Sequence, residues 1–172
     1  LDRLVDGLVA FRKEYQGKLW VEVMLVRDLN DSESALGEIA AALEHILPDE
    51  VHILKPDRPP AEGWVLPPDS EGLLRASTIL GKVARVVNPA NGSFNLSIAG
   101  SLVDAVIGII TRHPMQEEEL VGALNNYSPN EVAVTLSELA LKGRAQVVER
   151  YGNRFWSASP ATYSDNQTLK DR

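Results

Sequence analysis

Residues 18–26 read KLWVEVMLV, and this stretch decides the fold. These nine residues after Gly17, seven of them apolar and rich in β-branched side chains, form a buried strand and are too few for a core helix. Side chains alternate faces along a strand, so Leu19, Val21, Val23 and Leu25 make one wholly aliphatic face, while Trp20, Glu22, Met24 and Val26 make a mixed one. The aliphatic face is expected to pack under helices. Glu22 on the other face needs a partner if buried, because an unpaired carboxylate is costly in an apolar interior.

Working upstream, Leu1, Leu4, Val5, Leu8, Phe11 and Tyr15 fall in helical phase with no capping residue ahead of them, which reads as a chain cut inside a helix. No charged, apolar and small-residue leader pattern precedes it, so nothing suggests secretion. Downstream, Asn30 with Glu33 three residues on can cap a helix whose apolar stripe is Leu36, Ile39, Leu43, Ile46 and Leu47. Pro48 closes it, and residues 50–55 (EVHILK) read as a second strand. Helix, strand, helix, strand with tight connections is the βα repeat of a parallel sheet. The expected class is therefore α/β, as a segment of a partial parallel (β/α) barrel.

Residues 55–68 (KPDRPPAEGWVLPP) hold five of the ten prolines and form an extended loop. Asp69 and Ser70 can cap a further helix with a face of Leu73, Leu74, Leu80, Val83 and Val87. Residues 88–100 (NPANGSFNLSIAG) are a turn-rich linker. The expected organisation is a barrel segment over 1–90, a linker and small α+β winged-helix domain over 91–160, and a flexible tail over 161–172. In the second of these, Leu102, Val103, Val106, Ile109 and Ile110 mark one helix, and Glu117, Glu118 and Glu119 open another, where the helix dipole favours acids. Ser128-Pro129-Asn130-Glu131 is the start signal of a third, with Gly143 at its end. Residues 145–150 and 154–158 alternate about Tyr151-Gly152-Asn153, a hairpin.

The whole chain has 172 residues, with 17 Lys and Arg against 24 Asp and Glu for a net charge of -7. Hydrophobic residues at 44% and charged residues at 24% are ordinary globular usage, and no apolar run reaches the ~18–20 residues that cross a bilayer. The absence of cysteine excludes disulfides, thiolate-held zinc, iron–sulfur ligation and a cysteine nucleophile from these residues; a cytoplasmic location is compatible with it. There is no phosphate loop and no dinucleotide-binding glycine fingerprint, and His45, His52 and His113 lie in no metal-binding spacing.

The candidate ligand contacts are Trp20, Glu22 and Met24 on the mixed face of the first strand and His52 on the second. Arg27 and Asn30 follow the first strand, at the carboxyl edge where α/β sheets bind ligands, and Arg58 follows the second. Each also has a structural reading: an acid met by a base for Glu22, a packed histidine for His52, salt bridging and helix capping for Arg27 and Asn30, a solvated loop residue for Arg58. Residues 101–160 contain five Lys and Arg against seven Asp and Glu, and the outer positions of the third helix (Asn130, Glu131, Val134, Ser137, Glu138, Leu141) include no base. Phosphate docking needs positive charge on the contact face, so duplex DNA reading is disfavoured, RNA contact stays open, and Val134 and Leu141 favour protein docking or self-association.

The string GLVAFRKEYQGKLWVEVMLV (residues 7–26), the Asn30-Asp31 turn, PDEVHI (48–53) and Arg58-Pro59-Pro60 resemble the C-terminal half of radical S-adenosylmethionine proteins of the Fe–S oxidoreductase type, related to wybutosine-tRNA synthesis enzymes. The resemblance covers about residues 1–75, and the RHP…EEL…SP.EV…L..L…GR pattern extends it to about residue 158. It departs from the family pattern at Asp28, where Gly is usual, and at Leu54-Lys55, where Asn-Thr is usual. The resemblance implies a fragment of an enzyme that cleaves S-adenosylmethionine at a [4Fe–4S] cluster, with the cluster ligands absent here and Glu22, Asn30, Arg58 and their neighbours as cofactor or substrate contacts. The substrate, an RNA base among the candidates, is not defined. The competing expectation is a non-enzymatic adaptor whose winged helix binds protein or RNA.

Overall fold

The computed structural model describes residues 2–87 and 101–163, so the expected linker over 88–100 and the residues from 164 onward lie outside the described residues. Two compact units emerge, one of residues 2–56 and 65–87, the other of residues 57–64 and 101–163.

In the first unit the 18–26 stretch forms β1 (Trp20–Met24) after helix α1 (Asp2–Glu14). Helix α2 (Glu33–Ile46) and strand β2 (Glu50–Leu54) follow, then α3 (Ser70–Leu80) and β3 (Ala84–Val86). The three strands are parallel and in chain order, β1-β2-β3, with Glu22 opposite His52 and His52 opposite Arg85. Each crossover helix starts on a side-chain cap. The Ser32 hydroxyl accepts from Ala35 N–H, so Ser32 and not Asn30 caps α2, and the Asp69 carboxylate accepts from Gly72 N–H at the start of α3. Leu47 ends α2 in the left-handed region and is 66% exposed, so it leaves the predicted stripe. The third predicted helix is also shorter: it stops at Leu80, Gly81 turns the chain at φ 79, and the β-branched run beyond becomes β3.

The aliphatic face of β1 packs as the alternation requires. Leu25, Val51 and Ile53 are fully buried with Leu36, Leu43, Ala76 and Leu80 from the helices, and Val21, Val23 and Ala84 pack against them. Each fully buried Leu, Ile or Val contributes about 1.5–3 kcal/mol, which orients the sheet with this face inward. The expected barrel is not formed: the described strands make an open three-stranded sheet.

The second unit contains α4 (Leu102–Arg112), α5 (Glu117–Ala123), α6 (Pro129–Leu141) and the antiparallel hairpin β4 (Ala145–Arg150) and β5 (Asn153–Ala158). Its start and stop signals act as their chemistry dictates. Ser128 and Glu131 exchange the two bonds of a capping box with Pro129 in the first turn, and Gly143 follows the helix at φ 65. Tyr151 and Gly152 both take positive φ, as a two-residue type I′ hairpin turn requires. The core is Val106, Ile110, Leu120, Leu124, Val132 and Leu136, all fully buried, with their neighbours. The chain beyond β5, expected as a flexible tail from residue 161, is held up to Tyr163: Gln146 donates to the carbonyls of Ala158 and Ala161, and the Ser157 and Tyr163 hydroxyls share a 2.6 Å bond.

Candidate functional site

Alternation places Trp20, Glu22 and Met24 on the side of the first sheet opposite its buried aliphatic face. Glu50, His52 and Leu54 of β2 and Arg85 of β3 share that side by register. It is open. Trp20 is 57% and Met24 52% exposed, Glu22 is exposed as well, and no described residue pairs with its carboxylate. The partial barrel expected around Glu22 is not formed by the described residues: alternation says which residues share a face, but what covers a face depends on distant chain. The arrangement is unusual, since parallel sheets are ordinarily covered on both sides.

The middle of the face is polar and ordered. His52 Nε2 lies 3.1 Å from Glu50 Oε2, and Arg85 Nη2 pairs with the same oxygen at 2.5 Å. An ionised carboxylate only accepts, so Nε2 of His52 carries the proton. The hydrogen bond from His52 holds the Glu50 carboxyl below its ordinary range, against a desolvation that raises it, and Arg85 adds a smaller lowering. The indole of Trp20 tilts over the imidazole at 5.4 Å between centroids. A neutralised His-Glu-Arg group thus supports Trp20, and beside it stand a bare carboxylate and a bare thioether. Such a face can take a cation: an indole attracts positive charge over its ring, and Glu22 supplies the counter-charge.

The remaining candidates do not join this face. Asn30 closes the loop after β1: its Oδ1 accepts from Val26 N–H at 2.7 Å and its Nδ2 donates to Met24 C=O at 2.9 Å. Asp28, in the left-handed region, donates its N–H to Asp31 Oδ1, and Arg75 donates to Asp31 C=O. Arg27 donates its N–H to Leu66 C=O, and its charge helps keep Asp69 ionised, though the Gly72 N–H bond is the larger cause of that lowering. These groups build the turn. Arg58 belongs to the second unit, where its Nη1 lies 3.1 Å from His113 Nδ1; a guanidinium only donates, so Nδ1 is the acceptor. Glu50 and Arg85 were not among the sequence candidates. The alternation of EVHIL could have shown Glu50, since it shares a face with His52. Arg85 was hidden because its strand read as helix.

No family model matches the chain, and no solved structure matches it. It is 26% identical over 136 residues to UPF0026 protein MJ1312 of Methanocaldococcus jannaschii, covering 73% of this chain and 40% of that protein. It is 28% identical over 120 residues to a UPF0026 protein of Helicobacter pylori, covering 69% and 38% respectively. A shorter stretch of 57 residues, 33% of the chain, is 39% identical to GTPase Obg of Brachyspira hyodysenteriae and covers 8% of it. The chain thus spans about two fifths of the length of the UPF0026 relatives it matches. These relatives bear a name that states no activity and are distinct from radical S-adenosylmethionine enzymes, which overturns the resemblance drawn from residues 7–60 and the radical, iron–sulfur function it implied. Nor do these relatives support the adaptor alternative specifically. Among the described residues no group of three or more His, Cys, Asp or Glu side chains is placed to hold a metal ion. No described helix is long and apolar enough to cross a membrane.

Proposed function

We propose that the first unit is a binding platform for a ligand bearing an organic cation, seated on the open sheet face against Trp20, Glu22 and Met24, with His52 beneath the indole. The observation that carries this reading is the bare Glu22 carboxylate between an exposed indole and an exposed thioether, on a parallel sheet whose other face buries Leu25, Val51 and Ile53 against the helices. Consecutive same-face residues on a strand are about 6.6 Å apart, so one small cation spans the indole and the carboxylate. Glu50 is already paired with Arg85 and hydrogen-bonded by His52, which leaves Glu22 as the carboxylate of the face that no described residue pairs.

The test is a nuclear magnetic resonance titration with benzyltrimethylammonium chloride. Backbone amides of β1 and β2 and the Trp20 indole N–H shift together, and Glu22→Gln or Trp20→Ala weakens binding by about five- to tenfold, the scale of an exposed cation–π and ion-pair contact. Shifts confined to other regions, or an affinity unchanged by Glu22→Gln, contradict the reading.

The succession α4, α5, α6, β4, β5, with Met115 bridged to Trp156 of the hairpin, supports a winged-helix form for the second unit. Its α6 carries no base on its outward positions, which speaks against reading a DNA major groove.

A further inference from the structure

His52 stands in the middle of the open sheet face: in register it lies beside Glu22 of β1 on one side and Arg85 of β3 on the other, with adjacent strands about 4.8 Å apart. Its Nε2–H is directed to Glu50 at 3.1 Å, and its ring centroid lies 5.4 Å from that of the Trp20 indole at an interplanar angle of 37°. The charged groups that face it are Glu22 on β1, Glu50 on its own strand, Arg85 on β3, and Lys18, which acts on Glu50 from just ahead of β1. Glu50 is already paired with Arg85. The acid left to answer a second proton on the imidazole, at Nδ1, is therefore Glu22, the same carboxylate that the platform offers to a ligand. Imidazole is the side chain that ordinarily changes charge between pH 5 and 8, and the His52 side chain is 17% exposed, within reach of solvent protons.

We infer that His52 is a proton-operated gate on this platform: the neutral imidazole supports the indole and leaves Glu22 to an organic cation, whereas the imidazolium engages both and lowers the affinity for that cation. The inference rests on the cation platform proposed above and adds its regulation. An indole attracts a positive charge held over its ring within about 6 Å, so the imidazolium takes from one side the attraction that the ligand needs from the other. It also draws the Glu22 carboxylate across the strand pair and repels the ligand as a like charge. At a separation of about 7 Å and with the screening of an exposed surface, that repulsion corresponds to a loss of about three- to tenfold in affinity. Affinity therefore falls as pH falls, and by reciprocity a bound cation makes His52 harder to protonate by the same factor.

Nuclear magnetic resonance of the full 172-residue chain with benzyltrimethylammonium chloride tests it, the affinity being read at the Trp20 indole N–H at about pH 8 and about pH 5.5, either side of the ordinary histidine range. The affinity falls about three- to tenfold from the higher pH to the lower. In the unmodified chain the titration midpoint of the His52 ring drops by about 0.5–1 pH unit at saturating ligand, the same factor seen from the proton side, while those of His45 and His113 stay in place. His52→Gln keeps an amide donor for Glu50 but takes up no proton, so its affinity is the same at both pH values. Absence of binding at either pH overturns the platform and the gate with it. Binding that is equal at the two pH values, a His52 midpoint indifferent to the ligand, or a pH dependence undiminished in His52→Gln leaves the platform standing and overturns the gate.

Discussion

Replacing Ile53 by alanine lowers the stability of the three-stranded unit by about 2–5 kcal/mol, whereas Met24→Ala on the opposite face lowers it by less than about 1 kcal/mol. The side chains are of similar size and come from neighbouring strands, so the contrast reports coverage. Ile53 is fully buried between β1, β3 and the helices, and truncating it removes apolar contact and leaves a cavity. Met24 is 52% exposed and already meets water. Denaturant dependence of hydrogen exchange at the β2 amides reads this unit directly. Equal losses for the two substitutions would mean that both faces of the sheet are packed.

Leu136→Ala destabilises the second unit by about 2–5 kcal/mol, and Leu141→Ala, five residues along the same helix, changes it by no more than about 0.5 kcal/mol. Leu136 is fully buried in a core shared with Val106, Ile110, Leu120 and Leu124, while Leu141 is 89% exposed. Hydrogen exchange at the α6 amides reads the stability of this unit directly. A large loss for Leu141→Ala would place that side chain in the folded core.

Local signals were legible wherever the chemistry is local. The alternation in KLWVEVMLV assigned Val21, Val23 and Leu25 to the packed face, and the βα succession gave parallel strands before any pairing was seen. The Ser128-Pro129-Asn130-Glu131 signal placed the start of α6, and Tyr151-Gly152-Asn153 the hairpin turn. These succeed because a cap or turn is satisfied within four residues. The third strand escaped because Val83 and Val87 continue the helical spacing of Leu73 and Leu80, and only Gly81 marks the break. Asn30 was read as a cap or ligand contact, yet its amide is taken by Val26 and Met24, an arrangement that depends on how the loop folds back. Arg58 follows the second strand in sequence but folds with His113 in the other unit, a long-range outcome with no signature in the proline loop. Glu22 stood out as an acid in an apolar strand and was expected inside a barrel; the described residues form no barrel and leave Glu22 exposed, because what covers its face depends on chain far from its strand.

The two methionines of the chain provide an internal comparison for the open face, because Met24 lies on it at 52% exposure and Met115 lies in the second unit's core at 5%. Brief peroxide oxidation followed by peptide mass analysis should convert Met24 to its sulfoxide many times faster than Met115, with Trp20 oxidised alongside it under hydroxyl radicals. Protection of Met24 to the level of Met115 would show that its side of the sheet is covered, and the platform would have no surface on which to form.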